Sequence, residues 1–111
     1  MAKTQDEIKE LLSTDLFKKG MANNYIAINS DNSYITYHCK NNARRKLCNP
    51  EEFVQATAYL KLIIDYNYSP LNISVNENVQ IGSSIKEADI LVYNETNSKI
   101  LIVVECKEEQ I

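Results

Sequence analysis

EADILVY (residues 87–93) and KILIVVECK (residues 99–107) are the two segments that decide the fold of this chain. Each contains an apolar, largely β-branched run of strand length, and residues 94–98 between them form a polar segment of hairpin-loop length. The pattern predicts a β-hairpin with an acid at the start of its first strand. Its second strand ends in an acid and a lysine.

The register of this hairpin can be predicted from the position of its loop. A loop centred on Asn97 leaves Asp89 and Glu105 equally far from the turn, and therefore opposite each other. Because side chains alternate between the two faces of a strand, Lys107 shares a face with Glu105 while Cys106 points to the other face. Like charges opposed on a sheet destabilise it, so two facing carboxylates suggest a divalent cation, and Mg²⁺ prefers oxygen ligands of this kind.

The segment before the hairpin contains a strong helix start at residues 49–52. Asn49 is a favourable N-cap, Pro50 suits the first helical position, and Glu52 stands where a capping-box partner would. Capping alone would explain Glu52, and a catalytic role is compatible with it. We expect the helix to extend to about Tyr66. Its buried stripe is predicted to contain Phe53, Ala56, Thr57, Leu60, Ile63 and Ile64.

The remaining segments give weaker predictions. Residues 4–20 predict one amphipathic helix that starts with a capping box at Thr4 and Glu7, and residues 25–28 and 34–37 predict a β-hairpin. Apolar and polar residues alternate over residues 71–76, which predicts a half-exposed strand, and we expect a kink near residues 77–78. We therefore divide the chain into a lead-in of helix and hairpin (residues 1–43) and a core (residues 44–111).

Composition and charge restrict the classes of protein to which the chain can belong. No apolar run reaches the length of a membrane span and no signal-peptide core follows Met1, so we expect a cytoplasmic protein without membrane contact. Three cysteines without metal-ligand spacing argue against a disulfide framework and against a zinc site. The net charge of −3 gives no general affinity for DNA, and the one basic run contains Arg44, Arg45 and Lys46. This run suits contact with phosphates, and equally a solvated loop.

Two motifs together resemble a known family. Asp89, followed after fifteen residues by Glu105-Cys106-Lys107, resembles the PD-(D/E)XK nuclease signature. The Pro50-Glu51-Glu52 helix start upstream makes residues 44–107 similar to the N-terminal nuclease domain of type I restriction enzyme R subunits. The resemblance implies an α/β (α+β) fold, with a restriction-endonuclease-like mixed β-sheet flanked by helices and truncated after the strand that carries Glu105.

The resemblance also implies a chemistry, which is Mg²⁺-dependent cleavage of phosphodiester bonds in double-stranded DNA. Asp89 and Glu105 would bind the metal, with the Cys106 carbonyl as a third ligand. Lys107 would orient or deprotonate the attacking water, and Glu52 would assist through a metal-bound water. The catalytic set expected from the resemblance is Glu52, Asp89, Glu105 and Lys107.

Partners follow from the same resemblance. Members of the family assemble with methyltransferase and specificity subunits and use ATP, which would bind outside this chain because the chain has no P-loop. Self-association through the truncated side is a further expectation. Two alternatives stay open: a catalytically silent module that keeps the nuclease fold and binds DNA or a subunit, and an unrelated α/β interaction protein in which the acids are accidental.

Overall fold

A computed structural model describes residues 2–107 of the chain. Within that range the fold contains three α-helices and two three-stranded sheets, so the predicted α+β class is confirmed. All strand pairs in it are antiparallel, because neighbouring strands are joined by hairpins or short loops. In chain order the elements are α1 (Gln5–Leu12), α2 (Asp15–Ala22), β1 (Ile26–Ile28), β2 (Tyr34–Tyr37), β3 (Arg44–Lys46), α3 (Pro50–Ile64), a 3-10 turn (Pro70–Asn72), β4 (Ile73–Ile81), β5 (Ser84–Tyr93) and β6 (Ile100–Val104).

The predicted register of the β5–β6 hairpin is confirmed. Ile90 pairs with Val104 and Val92 with Ile102, which is the register that continues to Asp89 and Glu105. A register shift at Val92 and Tyr93 confines the irregular part of the hairpin to its loop end. The end that carries the acids therefore follows regular antiparallel geometry as far as Val104.

The first sheet, in the order β1-β2-β3, contains the basic run. Thr36 pairs with Arg44 and Tyr34 with Lys46, so these basic residues form an edge strand and not a solvated loop. The sheet joins residues on both sides of the boundary that we drew before Arg44. One hydrophobic cluster likewise extends from Ile8 to Cys106.

The N-terminal segment folds as two helices and not as the single helix that we predicted. The capping box at Thr4 and Glu7 is present, but α1 ends at Leu12. The hydroxyl groups of Ser13 and Thr14 donate to carbonyl groups of the preceding turn, which is a local bond that competes with helix continuation. Gly20, predicted as a helix stop, lies inside α2. A Cβ there would come within 2.6 Å of the Leu60 side chain, so glycine permits close packing of α2 on α3.

Helix α3 provides much of the core. Phe53, Ala56, Leu60 and Ile63 are buried as predicted, whereas Thr57 and Ile64 are only half-buried. The helix also buries Tyr59 and, unexpectedly, the polar side chains of Glu52 and Gln55. Among residues 2–107, no helix has both the length and the apolar character needed to cross a membrane.

Strand β4 is bonded to the loop after β2 and contains a kink. The backbone N–H of Lys40 donates to the carbonyl of Ile73 at 2.8 Å, and the Asn41 amide bonds both the N–H and the C=O of Val75. The loop after β2 therefore covers one edge of β4. The kink lies at Asn76, which has a φ of 55°, one residue before the predicted position. Asparagine occupies every non-glycine position of positive φ in the described residues, namely Asn24, Asn32, Asn42, Asn67, Asn76 and Asn97.

Candidate functional site

The strand side of the site is formed by Asp89 and by the residues that follow β6. The backbone N–H of Cys106 donates to Asp89 Oδ2 at 2.6 Å. This bond holds the segment after Val104 against β5, although the regular ladder has ended. Cys106 is buried, and its neighbours Glu105 and Lys107 are exposed, as the alternation predicts. The structure therefore brings Asp89 together with the predicted Glu105-Cys106-Lys107 motif.

The lysine that pairs with Glu105 is not the one in the motif. Lys86 Nζ lies 3.6 Å from Glu105 Oε1, and the two side chains are 60% and 43% exposed. Within residues 2–107, Lys107 forms no ion pair. Its ammonium group is accordingly not held in place by a carboxylate of that range, and the pair at Glu105 is a surface contact that solvent weakens.

The helix side of the site is centred on Glu52, whose carboxylate is only 4% exposed. It accepts hydrogen bonds from the Tyr37 hydroxyl and, at 3.1 Å, from Gln55 Nε2. Arg45 Nε lies 3.6 Å from the other carboxylate oxygen. The predicted capping-box role of Glu52 is wrong, because these three donors hold the carboxylate in the core. Asn49 caps α3 by accepting from the Glu51 N–H instead.

The acids of the two sides act electrostatically on the same group, the thiol of Cys106. Burial raises the pKa of the Cys106 thiol to about 11, and the negative charges of Asp89, Glu105, Glu52 and Glu51 act in the same direction. Burial likewise raises the pKa of Glu52, against the opposing effects of Tyr37 and Arg45, and the charge of Asp89 adds to the rise. The carboxylates on the helix therefore lie close enough to those on the strands to influence the same groups.

Sequence reasoning missed Tyr37 and Gln55, which hold Glu52 in position. Gln55 stands three residues after Glu52 on the same face of α3 and is 4% exposed. A polar residue at a core position of an amphipathic helix is the signal that could have identified it. Tyr37 is fifteen residues away from Glu52 along the chain, and no local pattern indicates that they meet.

The predicted DNA-binding residues line a surface pocket beside Glu52. The pocket has a volume of about 390 Å³, and the Arg44 guanidinium stacks on the Tyr34 ring at 4.2 Å from its centre. Arg45 reaches the same pocket through its ion pair with Glu52. The lining residues are Tyr34, Arg44, Arg45, Lys46, Cys48, Asn49 and Glu52.

The donors available for a metal ion are oxygen atoms. In the described part of the chain no three side chains of His, Cys, Asp or Glu come close enough together to hold an ion. Asp89 and Glu105 nevertheless directly follow the last observed pair of this end of the hairpin, Ile90 with Val104, and Asp89 accepts the N–H of Cys106. Two carboxylates and a carbonyl would suit Mg²⁺, because this ion prefers oxygen ligands. So few protein ligands are enough, since Mg²⁺ keeps several of its own waters.

Comparison with known families identifies the chain. A family model described as type I restriction enzyme R protein N terminus (HSDR_N) matches residues 50–111, more than half of the chain. No curated protein and no solved structure gave a match. The four predicted catalytic residues lie within the matched segment, and the basic residues 44–46 precede it. The chain therefore belongs to the family of type I restriction enzyme R protein N termini.

Proposed function

We propose that this chain is the nuclease part of a type I restriction enzyme R subunit and supports Mg²⁺-dependent cleavage of double-stranded DNA. The observation that carries the proposal is the hydrogen bond between Asp89 and the N–H of Cys106. It brings the two separated parts of the nuclease motif together at the end of one hairpin. The family match supports an R-subunit origin for the same residues.

Each residue of the site has a distinct role in this proposal. Asp89, Glu105 and the Cys106 carbonyl would hold Mg²⁺, which when bound supplies positive charge to the scissile phosphate and lowers the pKa of a coordinated water. Lys107, exposed and without an ion pair in residues 2–107, would orient the attacking water and stabilise negative charge that develops on the phosphate. Glu52 adds negative charge behind Cys106 and would contact the metal's waters.

DNA affinity would come from a local patch, because the chain as a whole has a net charge of −3. Arg44, Arg45 and Lys46 form one edge strand beside the proposed site, so their side chains would contact phosphates of the same duplex. We propose methyltransferase and specificity subunits as protein partners, ATP binding outside this chain, and a cytoplasmic location. Self-association through the open side of β6 is part of the same proposal.

One observation favours a second candidate function, a catalytically silent module that binds DNA or a subunit. Glu105 is paired with Lys86, and the described residues contain no cluster of three metal-binding side chains. A protein that uses this fold only for binding would have no need to separate Glu105 from Lys86. The two functions differ in whether a divalent cation binds at Asp89.

The deciding experiment is a titration of Mn²⁺ or Mg²⁺ into the wild type and Asp89→Ala while thermal unfolding is followed. A ligand that binds only the folded state raises its stability, by about 2.7 kcal/mol at a hundred times its Kd. We expect metal-dependent stabilisation of the wild type and none for Asp89→Ala. Asp65→Ala is the matched control, because it removes an exposed aspartate from the C-terminal end of α3.

The control variant should respond to metal as the wild type does. If the wild type and Asp89→Ala respond equally, or if neither responds, the proposed metal site is refuted and the silent binding module is favoured. A positive result would justify plasmid-cleavage assays on the full-length R subunit, with Lys107→Ala as the variant expected to bind metal without cleaving.

A further inference from the structure

The pairing of β4 with β5 is interrupted opposite Asp89. Val75 pairs with Ile90 and Glu77 with Ala88, so the unbroken register places Asn76 opposite Asp89. These two residues are missing from the ladder, and Asn76 has a φ of 55°. Asparagine adopts left-handed backbone more readily than other residues with a side chain, but this conformation is rare inside a strand, so its side-chain contacts are of interest. The break coincides with the residue on which the proposed metal site depends.

The contact that holds Asn76 comes from Gln55 on α3. Gln55 Nε2 donates to Asn76 Oδ1 at 2.8 Å, and Asn76 Nδ2 approaches Gln55 Oε1 at 3.5 Å. The same Gln55 nitrogen donates to Glu52 Oε2 at 3.1 Å. One buried amide therefore joins Glu52 to the residue that faces Asp89. Gln55 is buried and Asn76 is half-buried, so removing either amide breaks the link between Glu52 and β4.

We propose that Gln55 and Asn76 are positioning residues of the site: their amide pair keeps β4 kinked and thereby fixes the Asp89 carboxylate relative to Glu52. Without the kink, Asp89 would pair with Asn76 through the backbone, as its neighbours Ala88 and Ile90 pair with Glu77 and Val75. The kink removes this backbone pairing, and on the β6 side the Asp89 carboxylate accepts the N–H of Cys106. The catalytic significance of this arrangement rests on the proposed nuclease function, whereas the positioning itself does not.

The test is the NMR resonance of the Cys106 amide proton in the full chain. A short bond to a carboxylate moves an amide proton downfield, so the resonance reports the position of Asp89 even when the fold is otherwise unchanged. Asp89→Ala gives the largest expected change in this chemical shift, because it removes the carboxylate that accepts the Cys106 N–H. We expect Gln55→Leu and Asn76→Gly each to shift the resonance upfield by about half of that change or more.

Two features of the design separate positioning from stability. Asn76→Gly removes the amide that holds the kink, and glycine adopts left-handed and extended backbone equally readily, so the variant should lose the fixed kink and still fold even where Gln55→Leu does not. Asn97→Gly is the matched control, since Asn97 has a φ of 57° and bonds Asn72 and Leu71 near the hairpin loop. This variant should leave the Cys106 resonance at its wild-type position.

A Cys106 resonance that stays at the wild-type position in folded Asn76→Gly would overturn the proposal. A shift of the same size in Asn97→Gly would overturn it too, because the effect would not then depend on the amide pair at the site. Titration of the same samples with Mn²⁺ separates this proposal from the proposed function. If the wild type binds no metal, the nuclease site is refuted, whereas the resonance result still decides the positioning role.

Discussion

The helix side and the strand side of the site hold their acids in different ways. Glu52 on α3 is 4% exposed, accepts hydrogen bonds from Tyr37 and Gln55, and forms an ion pair with Arg45. Glu105 after β6 is exposed, and within residues 2–107 it pairs with Lys86 at 3.6 Å. The two carboxylates influence the same buried thiol, yet only the first belongs to the core.

This difference indicates that the two sides of the site have different roles, one in fixing its geometry and the other in binding. A buried carboxylate with satisfied hydrogen bonds is costly to move, so Glu52 and its partners fix the geometry. An exposed carboxylate with one solvent-weakened ion pair can exchange that partner for a cation or water at little cost. If this view is correct, changes on the helix side should affect stability and changes on the strand side should mainly affect binding.

The largest expected effect is that of Tyr37→Phe. This change removes a hydroxyl that donates to the buried Glu52 carboxylate, and we expect a loss of about 1–3 kcal/mol in the free energy of unfolding. Tyr93→Phe is a matched control, because the Tyr93 hydroxyl also donates to a glutamate, Glu77, in a half-buried setting where water can replace it. Urea unfolding should give a change within about 0.5 kcal/mol for that variant. Equal losses in the two variants would contradict the comparison.

An intermediate effect is expected from Glu52→Gln, and it should depend on pH. Burial raises the folded-state pKa of Glu52 above its ordinary value of 4.5, so the folded protein binds this proton more tightly than the unfolded chain does. Wild-type stability therefore falls as pH rises from the unfolded-state value through the raised pKa. The amide that replaces the carboxylate cannot ionise, so the stability of the variant relative to the wild type should increase across this window and then level off.

The measurement is urea unfolding of both proteins over a series of pH values from about 4 to about 8. Glu51→Gln provides the control, since it removes the same charge from an exposed position in the same turn of α3. Its stability relative to the wild type should show no comparable increase with pH. If Glu52→Gln also shows none, Glu52 is not held as a desolvated carboxylate, and the contrast between the two sides disappears.

The smallest effect is expected at Lys86 and Glu105. A double-mutant cycle with Lys86→Met and Glu105→Gln should give a coupling of about 0.2–1 kcal/mol, since both side chains are largely exposed. Added salt should reduce the coupling further, because the Debye length falls from about 10 Å at about 0.1 M to about 3 Å at about 1 M. A larger coupling that persists in high salt would mean that Glu105 is held as firmly as Glu52, and would contradict the comparison.

Sequence patterns predicted the strand side well because its geometry is local. A centred loop and alternating side chains are enough to predict the register and the burial of Cys106, and the structure has this register as far as Ile90 and Val104, with Cys106 buried. The helix start at Asn49 and Pro50 was equally local. The role of Glu52 was not predicted from local sequence. Its carboxylate contacts Tyr37 and Arg45 of the first sheet, which no local pattern indicates.

The remaining differences also come from long-range contacts. Arg44 and Lys46 have no strong strand preference, and their pairing with Thr36 and Tyr34 is decided by the neighbouring strand. Gly20 resembled a helix stop, but its position is explained by the Leu60 side chain packed above it. The kink at Asn76 depends on Gln55, which is twenty-one residues away along the chain.

The use of asparagine at left-handed positions has a consequence for the unfolded chain. Glycine is the usual residue where φ is positive, yet the chain contains two glycines, and within residues 2–107 asparagine stands at six such positions. Because glycine loses more conformational freedom on folding than any other residue, each asparagine lowers the entropy of the unfolded state relative to glycine. The strain of these positions in the native state is thus partly offset by an unfolded ensemble with less conformational freedom.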